Sequence, residues 1–156
     1  MTDAPRAELW KGVAAERHIA APAAHVYRLI ADFNEHHAKF LPPAFRDLRV
    51  ERGGVGAGTV ITFDLVNGTS VRHCRSEVSE PEPGRALVEE DRGNGTRTTF
   101  RVTPDGAGCL ARIESQFRVS PGFRGIVERI IAPPVLSRLL AEELARLDDY
   151  ARSIPS

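Results

Sequence analysis

The chain has 156 residues, with Lys plus Arg and Asp plus Glu at 21 each. That length suits one domain, 1–156 with a core of about 11–152, and the balanced charge supplies no net field to draw it to nucleic acid. No run of 18 apolar residues exists, and MTDAPRAELWKG lacks a basic region followed by an apolar one. The expectation is a soluble, cytoplasmic protein without membrane insertion.

From Lys11 to Ala20 apolar and polar residues alternate as in a strand, which Pro22 ends. In APAAHVYRLIADF the period changes: Val26, Leu29, Ile30 and Phe33 fall at helical spacing behind a proline suited to a helix start. Asn34 to Leu41 reads as a second short helix, stopped by Pro42-Pro43. Within DFNEHH, His36 and His37 would point about 100° apart, and neither HxxxH nor HExxH spacing exists, so the cluster reads as a surface helix junction rather than a metal site.

ERGGVGAGT, Glu51 to Thr59, packs four glycines into nine residues. A phosphate loop needs Lys where Thr59 stands, and a dinucleotide fingerprint needs a third glycine there. Both need a following helix, whereas ITFDLV is strand-like. The glycines are read as a sharp bend or bulge in a long hairpin.

From Phe45 to Val119, short alternating runs are divided by GGVGAG, Asn67-Gly68, EPEPG, Gly93-Asn94-Gly95 and Pro104-Asp105-Gly106. This spacing predicts six antiparallel strands joined by hairpins. Phe123 to Arg152 is helical in period, with a kink or break expected at Pro133-Pro134 and a continuous helix from about Val135. Cys74 and Cys109 are far apart on strand-like segments and read as buried free thiols.

A strand, two short helices, a six-strand meander entered through a glycine-rich turn, and one long terminal helix: this order resembles the START-like, helix-grip superfamily. That superfamily includes the pollen-allergen-like proteins and the polyketide cyclase/dehydrase and lipid-transport group. Ile19, Ala21, Pro22, Val26, Tyr27, Ile30 and Asp32 are similar to the group's I-x-A-P-x-x-x-V-[WY]-x-x-[IL]-x-D pattern. The resemblance implies an α+β fold in which a curved seven-stranded antiparallel sheet grips the C-terminal helix, with two short helices between strands 1 and 2. It also implies an apolar cavity between sheet and helix. Members bind sterols, lipids, quinones, polyketides or plant hormones, some as carriers and some as cyclases or hydrolases.

The residue pattern is compatible with that picture. Ile61, Phe63 and Leu65, then Thr98, Phe100 and Val102, then Ala111, Ile113, Ser115, Phe117 and Val119 alternate along three strands, with Arg, Asp, Glu and Thr on the opposite faces. On the last helix Leu136, Leu139, Leu140, Leu144 and Leu147 form one stripe, with Arg138, Ala141, Ala145 and Asp148 on the far side. Periodicity says which face is inside and leaves open whether that interior is filled or hollow.

Glu143 falls near the middle of the stripe and Tyr150 one heptad later. A carboxyl there must pair with an arginine, keep water or become protonated. On TSVRHCRSEV the face of Val71, His73, Arg75 and Glu77 opposes that of Arg72, Cys74, Ser76 and Val78. Cys74 and Val78 favour the second face as the inner one, leaving His73 solvated.

The first expectation is therefore a carrier or sensor of one small hydrophobic ligand, without cofactor or metal. Its expected lining is Phe33, Phe40, Ile61, Phe63, Phe100, Ile113, Phe117, Ile131, Leu136, Leu140 and Glu143. The alternative is an aldol-type cyclase or dehydratase using Glu143, Tyr150 or His73 as acid or base. A polar pair converging deep in the cavity, with one member titrating abnormally, would favour the enzyme. A third reading is an interaction module with a filled interior and an exposed apolar patch. Ligand identity and oligomeric state lie beyond the sequence.

Overall fold

The structure, a computed structural model, describes residues 9–119 and 133–156. Strand β1 (Leu9–Ile19) leads into helix α1 (Ala23–Ala31) and a single 3₁₀ turn (His37–Lys39). The meander follows as β2 (Phe45–Arg52), β3 (Val60–Asn67), β4 (Ser70–Glu82), β5 (Ala86–Asp91), β6 (Thr96–Asp105) and β7 (Gly108–Val119). Helix α2 (Pro133–Ser153) ends the chain. The seven strands form one antiparallel, curved sheet in the order β1-β7-β6-β5-β4-β3-β2. This is the helix-grip arrangement that the element order implied.

Two boundaries differ from the sequence expectation. The second short helix is only one 3₁₀ turn, because His37 and Phe40 both turn inward and the prolines follow at once. Helix α2 includes Pro133 and Pro134, so no break separates the prolines from Val135. A proline in a helix's first turn forfeits no internal hydrogen bond. The expected segment from Phe123 to Ala132 lies outside the described residues.

Helix α1 buries His25, Val26, Tyr27, Leu29, Ile30 and Ala31. His25 Nε2 donates to the Ala151 carbonyl at 3.0 Å and its Nδ1 accepts from Arg28 Nη2 at 3.1 Å, which ties α1 to the end of α2. Helix α2 packs against β1, β7 and α1, burying Leu140, Glu143, Leu144, Leu147 and Ala151. Asp148, expected on the solvent side, is buried as well. It accepts from Arg17 Nε at 2.8 Å and Arg152 Nε at 3.1 Å, so two guanidinium groups compensate its desolvation.

The glycine-rich loop binds the protein's own backbone. Phe33 N donates to Gly54 O at 2.8 Å and Gly56 N to Ala31 O at 2.9 Å, strapping the loop across the end of α1. Glu80 then spans both elements, accepting from Tyr27 OH at 2.7 Å and from Ala57 N at 2.9 Å. Gly54 has φ +143°, a conformation that strains any other residue, and a Cβ there would also displace the Asn34 side chain. No helix among the described residues is long and apolar enough to cross a membrane.

Candidate functional site

The pleat of the sheet decides what faces α2. Inward positions bring Ile61, Phe63 and Leu65 from β3, Phe100 from β6 and Phe117 from β7 onto a common wall. Phe45 and Leu48 of β2, Leu41 before it, and Leu136 and Leu140 of α2 complete the apolar part. These side chains enclose a cavity in which the centre of a water-sized sphere has about 110 Å³. Roughly 10–15 Å³ on this scale admits one water, and an apolar cavity of about 150 Å³ admits benzene. The interior is therefore hollow enough for several waters or about one small ring.

Part of the wall is polar. The register places Glu89 of β5 opposite Thr98 of β6, and Thr98 opposite Ser115 of β7. The two hydroxyls bond each other at 3.0 Å. Arg72 and Cys74 of β4 also line the cavity, so β4 turns the face expected from Cys74 and Val78 inward. Cys74 is half-buried, and its thiol is pushed up to about 12, chiefly by burial. Cys109 is buried elsewhere, and both thiols are free.

Besides Arg72 and Cys74, three ionisable side chains converge on this space from three elements. Glu143 comes from α2, with a relative exposure of 2%; its Oε1 has no hydrogen-bond partner. Burial raises its carboxyl well above the usual range, and the neighbouring Glu89 raises it further. Burial alone pushes Glu89 up to about 8. His37, from the 3₁₀ turn, is driven the other way: burial lowers it to about 4 against the opposing pull of the Ile30 carbonyl. At neutral pH His37 is therefore uncharged and Glu89 mostly so, and burial moves Glu143 in the same direction as Glu89, while the Arg72 guanidinium stands on the same wall.

His37 is held on several sides. Its Nδ1 lies 2.6 Å from Ile30 O. Its ring stacks on Phe33 at 4.3 Å between centroids and meets Phe40 at 4.8 Å and the edge of Phe100 at 5.5 Å. Nε2 is left facing Glu89 Oε1 at 3.4 Å, a close contact in which that oxygen makes no hydrogen bond.

Seven residues expected to line a cavity do so here: Ile61, Phe63, Phe100, Phe117, Leu136, Leu140 and Glu143. Phe33, Phe40 and Ile113 do not; they are fully packed into the core, the two phenylalanines against His37 and Ile113 opposite Phe100 under α2. Ile131 lies outside the described residues. Tyr150 stands away from the cavity, its hydroxyl 2.7 Å from His36 Nδ1 and its ring against Phe40. His73 is on the outer face, 85% exposed in its side chain, with Nδ1 2.5 Å from Asp64 Oδ1. Neither is placed to act on a ligand inside.

Sequence reasoning missed Glu89 and His37. Asp32, Glu35 and His36 do come together, with ligand atoms within 4.8 Å of one another. Asp32 Oδ1, however, already accepts from the backbone N–H groups of Asn34 and Glu35 at 3.0 Å each, closing the turn after α1. His36 Nδ1 is engaged with Tyr150.

The model of the family described as polyketide cyclase / dehydrase and lipid transport matches residues 12–152. No curated protein matches the chain in sequence. Among solved structures, KanY is 25% identical at a TM-score of 0.81, with 94% of this chain and 99% of that one covered. Norcoclaurine synthase from Thalictrum flavum, a point mutant bound to a transition-state analogue, is 21% identical at 0.70, covering 95% and 98%. The Zhui aromatase/cyclase from Streptomyces sp. R1128 is 18% identical at 0.69, covering 92% and 94%. The last two likenesses are likenesses of fold.

Proposed function

Because the chain belongs to the polyketide cyclase / dehydrase and lipid transport family, we propose that it binds one small apolar carbonyl compound in the cavity and moves protons on it, as a cyclase or dehydratase does. The observation that carries this reading is the meeting of Glu89 from the sheet and Glu143 from α2 in one largely apolar cavity, where burial shifts both carboxyl groups toward the protonated form. An uncharged carboxyl donates a hydrogen bond that a carboxylate cannot, and a dry site strengthens it. One carboxyl holds the carbonyl oxygen of the ligand and so acidifies the adjacent carbon. The other protonates a departing hydroxyl. Its carboxylate then takes the proton from that adjacent carbon as the double bond forms; water leaves and the acid is restored. The step needs no oxidant or reductant.

The phenylalanines and hydroxyls of the wall are suited to holding rather than reacting. Phe63, Phe100 and Phe117 offer flat apolar surface to a ring, and the hydroxyls of Thr98 and Ser115 are occupied with each other. The test is Glu143→Gln. Glutamine keeps the shape and a donor but cannot give up a proton, so binding of an apolar ring ketone, followed by calorimetry, should change less than about threefold. Turnover of a β-hydroxy ketone should fall by roughly 10²-fold or more.

A second reading, a carrier, is favoured by one feature: burial shifts both carboxyls toward the protonated form, Glu89 to about 8, which disfavours either as the initial base. Hydrogen bonding alone would then be their role. The wild type would bind such ketones without converting any.

A further inference from the structure

We infer that His37 is a positioning residue for Glu89: before a ligand binds, its ring nitrogen faces that carboxyl as an acceptor and so adds to burial in favouring the protonated form, whose one hydrogen turns from Nε2 to the ligand on binding. The inference rests on the reading above, in which Glu89 acts inside the cavity.

The chemistry follows from two contacts. A backbone carbonyl can only accept, so at 2.6 Å from Ile30 O the Nδ1 of His37 must carry the ring's hydrogen. The imidazole is only 2% exposed and walled by Phe33, Phe40 and Phe100, an environment that does not admit an imidazolium. A neutral ring with hydrogen on Nδ1 presents a lone pair at Nε2. Glu89 Oε1 lies 3.4 Å from Nε2, within about half an ångström of hydrogen-bonding distance and making no hydrogen bond as it stands. Facing a lone pair, a carboxylate is repelled and a carboxylic acid is attracted. His37 therefore biases both the proton and the rotation of Glu89. Packing alone would have been served by another phenylalanine.

Other groups face Glu89 from each neighbouring element. Glu143 approaches from α2, Arg72 and Cys74 share the cavity from β4, and the hydroxyls of Thr98 and Ser115 stand beside it on β6 and β7. Of these, an ionised Glu143 would reinforce the effect of His37 and the Arg72 guanidinium would oppose it. The hydroxyls are already paired with each other.

The decisive measurement is on the wild-type protein without ligand, by long-range ¹H–¹⁵N spectra of the histidine rings together with ¹³C titration of the glutamate carboxyls. His37 should show hydrogen on Nδ1 and none on Nε2 at pH 7, and its Nε2 signal should move as Glu89 titrates. A protonated Nε2, or an Nε2 signal indifferent to that titration, overturns the inference. In His37→Gln the amide can donate to a carboxylate, so Glu89 should titrate lower by about one pH unit or more. In His37→Phe, which keeps the aromatic packing and burial but has no acceptor, Glu89 should still titrate above an ordinary glutamate but lower than in the wild type, and any turnover should fall. An unchanged Glu89 titration in His37→Gln also overturns it. Because the ring spectra need no ligand, a correct His37 form with no turnover of any ketone would sink the proposed activity and leave this inference standing.

Discussion

Replacing Glu89 with glutamine should stabilise the protein, and by an amount that grows with pH. In the folded chain burial holds this carboxyl at about 8, against 4.5 for an ordinary glutamate. Between those values the unfolded chain releases a proton that the folded chain keeps. Folding stability is thus intact below about 4.5 and drains away as pH rises toward 8, by about 1.4 kcal/mol per pH unit. Glutamine resembles the protonated acid in shape and hydrogen bonding yet carries no such penalty. The variant should gain under about 1 kcal/mol at pH 5 and roughly 3 kcal/mol at pH 7, the latter some 6–12 °C in Tm for a chain of this length. His37 has the opposite slope: held at about 4 when folded, it costs stability as pH falls below its ordinary 6.5. Taking the difference between variant and wild type cancels that contribution. Urea unfolding at pH 5, 6, 7 and 8 is the assay. A difference that stays constant with pH, or shrinks as pH rises, would refute the claim that Glu89 is buried as an acid.

Three further expectations can be checked on the same protein. Gly54→Ala combines a left-handed φ with a 2.1 Å approach to Asn34 and should destabilise by roughly 2–4 kcal/mol in urea unfolding, whereas Gly58→Ala, with open space around it, should cost about 1 kcal/mol. Leu140→Ala should cost about 2–5 kcal/mol while deepening the cavity, so calorimetry should show larger apolar rings gaining affinity relative to small ones. Iodoacetamide at pH 7.4 should label Cys74 at least about 100-fold more slowly than a free thiol, and Cys109 not at all, with a bound ring compound slowing Cys74 further in mass spectra.

The fold was largely legible because it is written in period and punctuation. Alternation in β3, β6 and β7 follows directly from one wet face and one covered face, and the glycine, proline and asparagine turns mark where each hairpin closes. The short second helix was over-read for a physical reason: apolar spacing from Asn34 to Leu41 reports burial, and two residues folded inward by one 3₁₀ turn bury themselves as well as a helix would.

The candidate site was legible only where a polar residue broke an apolar pattern. Glu143 interrupts a leucine stripe and is conspicuous on that ground alone. Glu89 sits in ALVEED with two more acidic residues directly after it, so its sequence resembles a solvated strand end. Only the pairing of β5 with β6 sets it apart: Glu89 faces Thr98 over the cavity and Glu90 faces Arg97 outside. His37 was hidden for a related reason. Next to His36 it looks like half of a surface pair, and a step of about 100° along one turn sends His36 to Tyr150 and His37 into the aromatic core. A buried acid advertises itself within an apolar helix, whereas a buried acid and its acceptor drawn from a strand end and a turn become visible only once the sheet has closed around them. The signal available beforehand was the odd richness of α1 and its turn in apolar residues flanking a histidine, Phe33 and Phe40 on either side of His37. Aromatic groups at those spacings have no reason to surround a solvated ring.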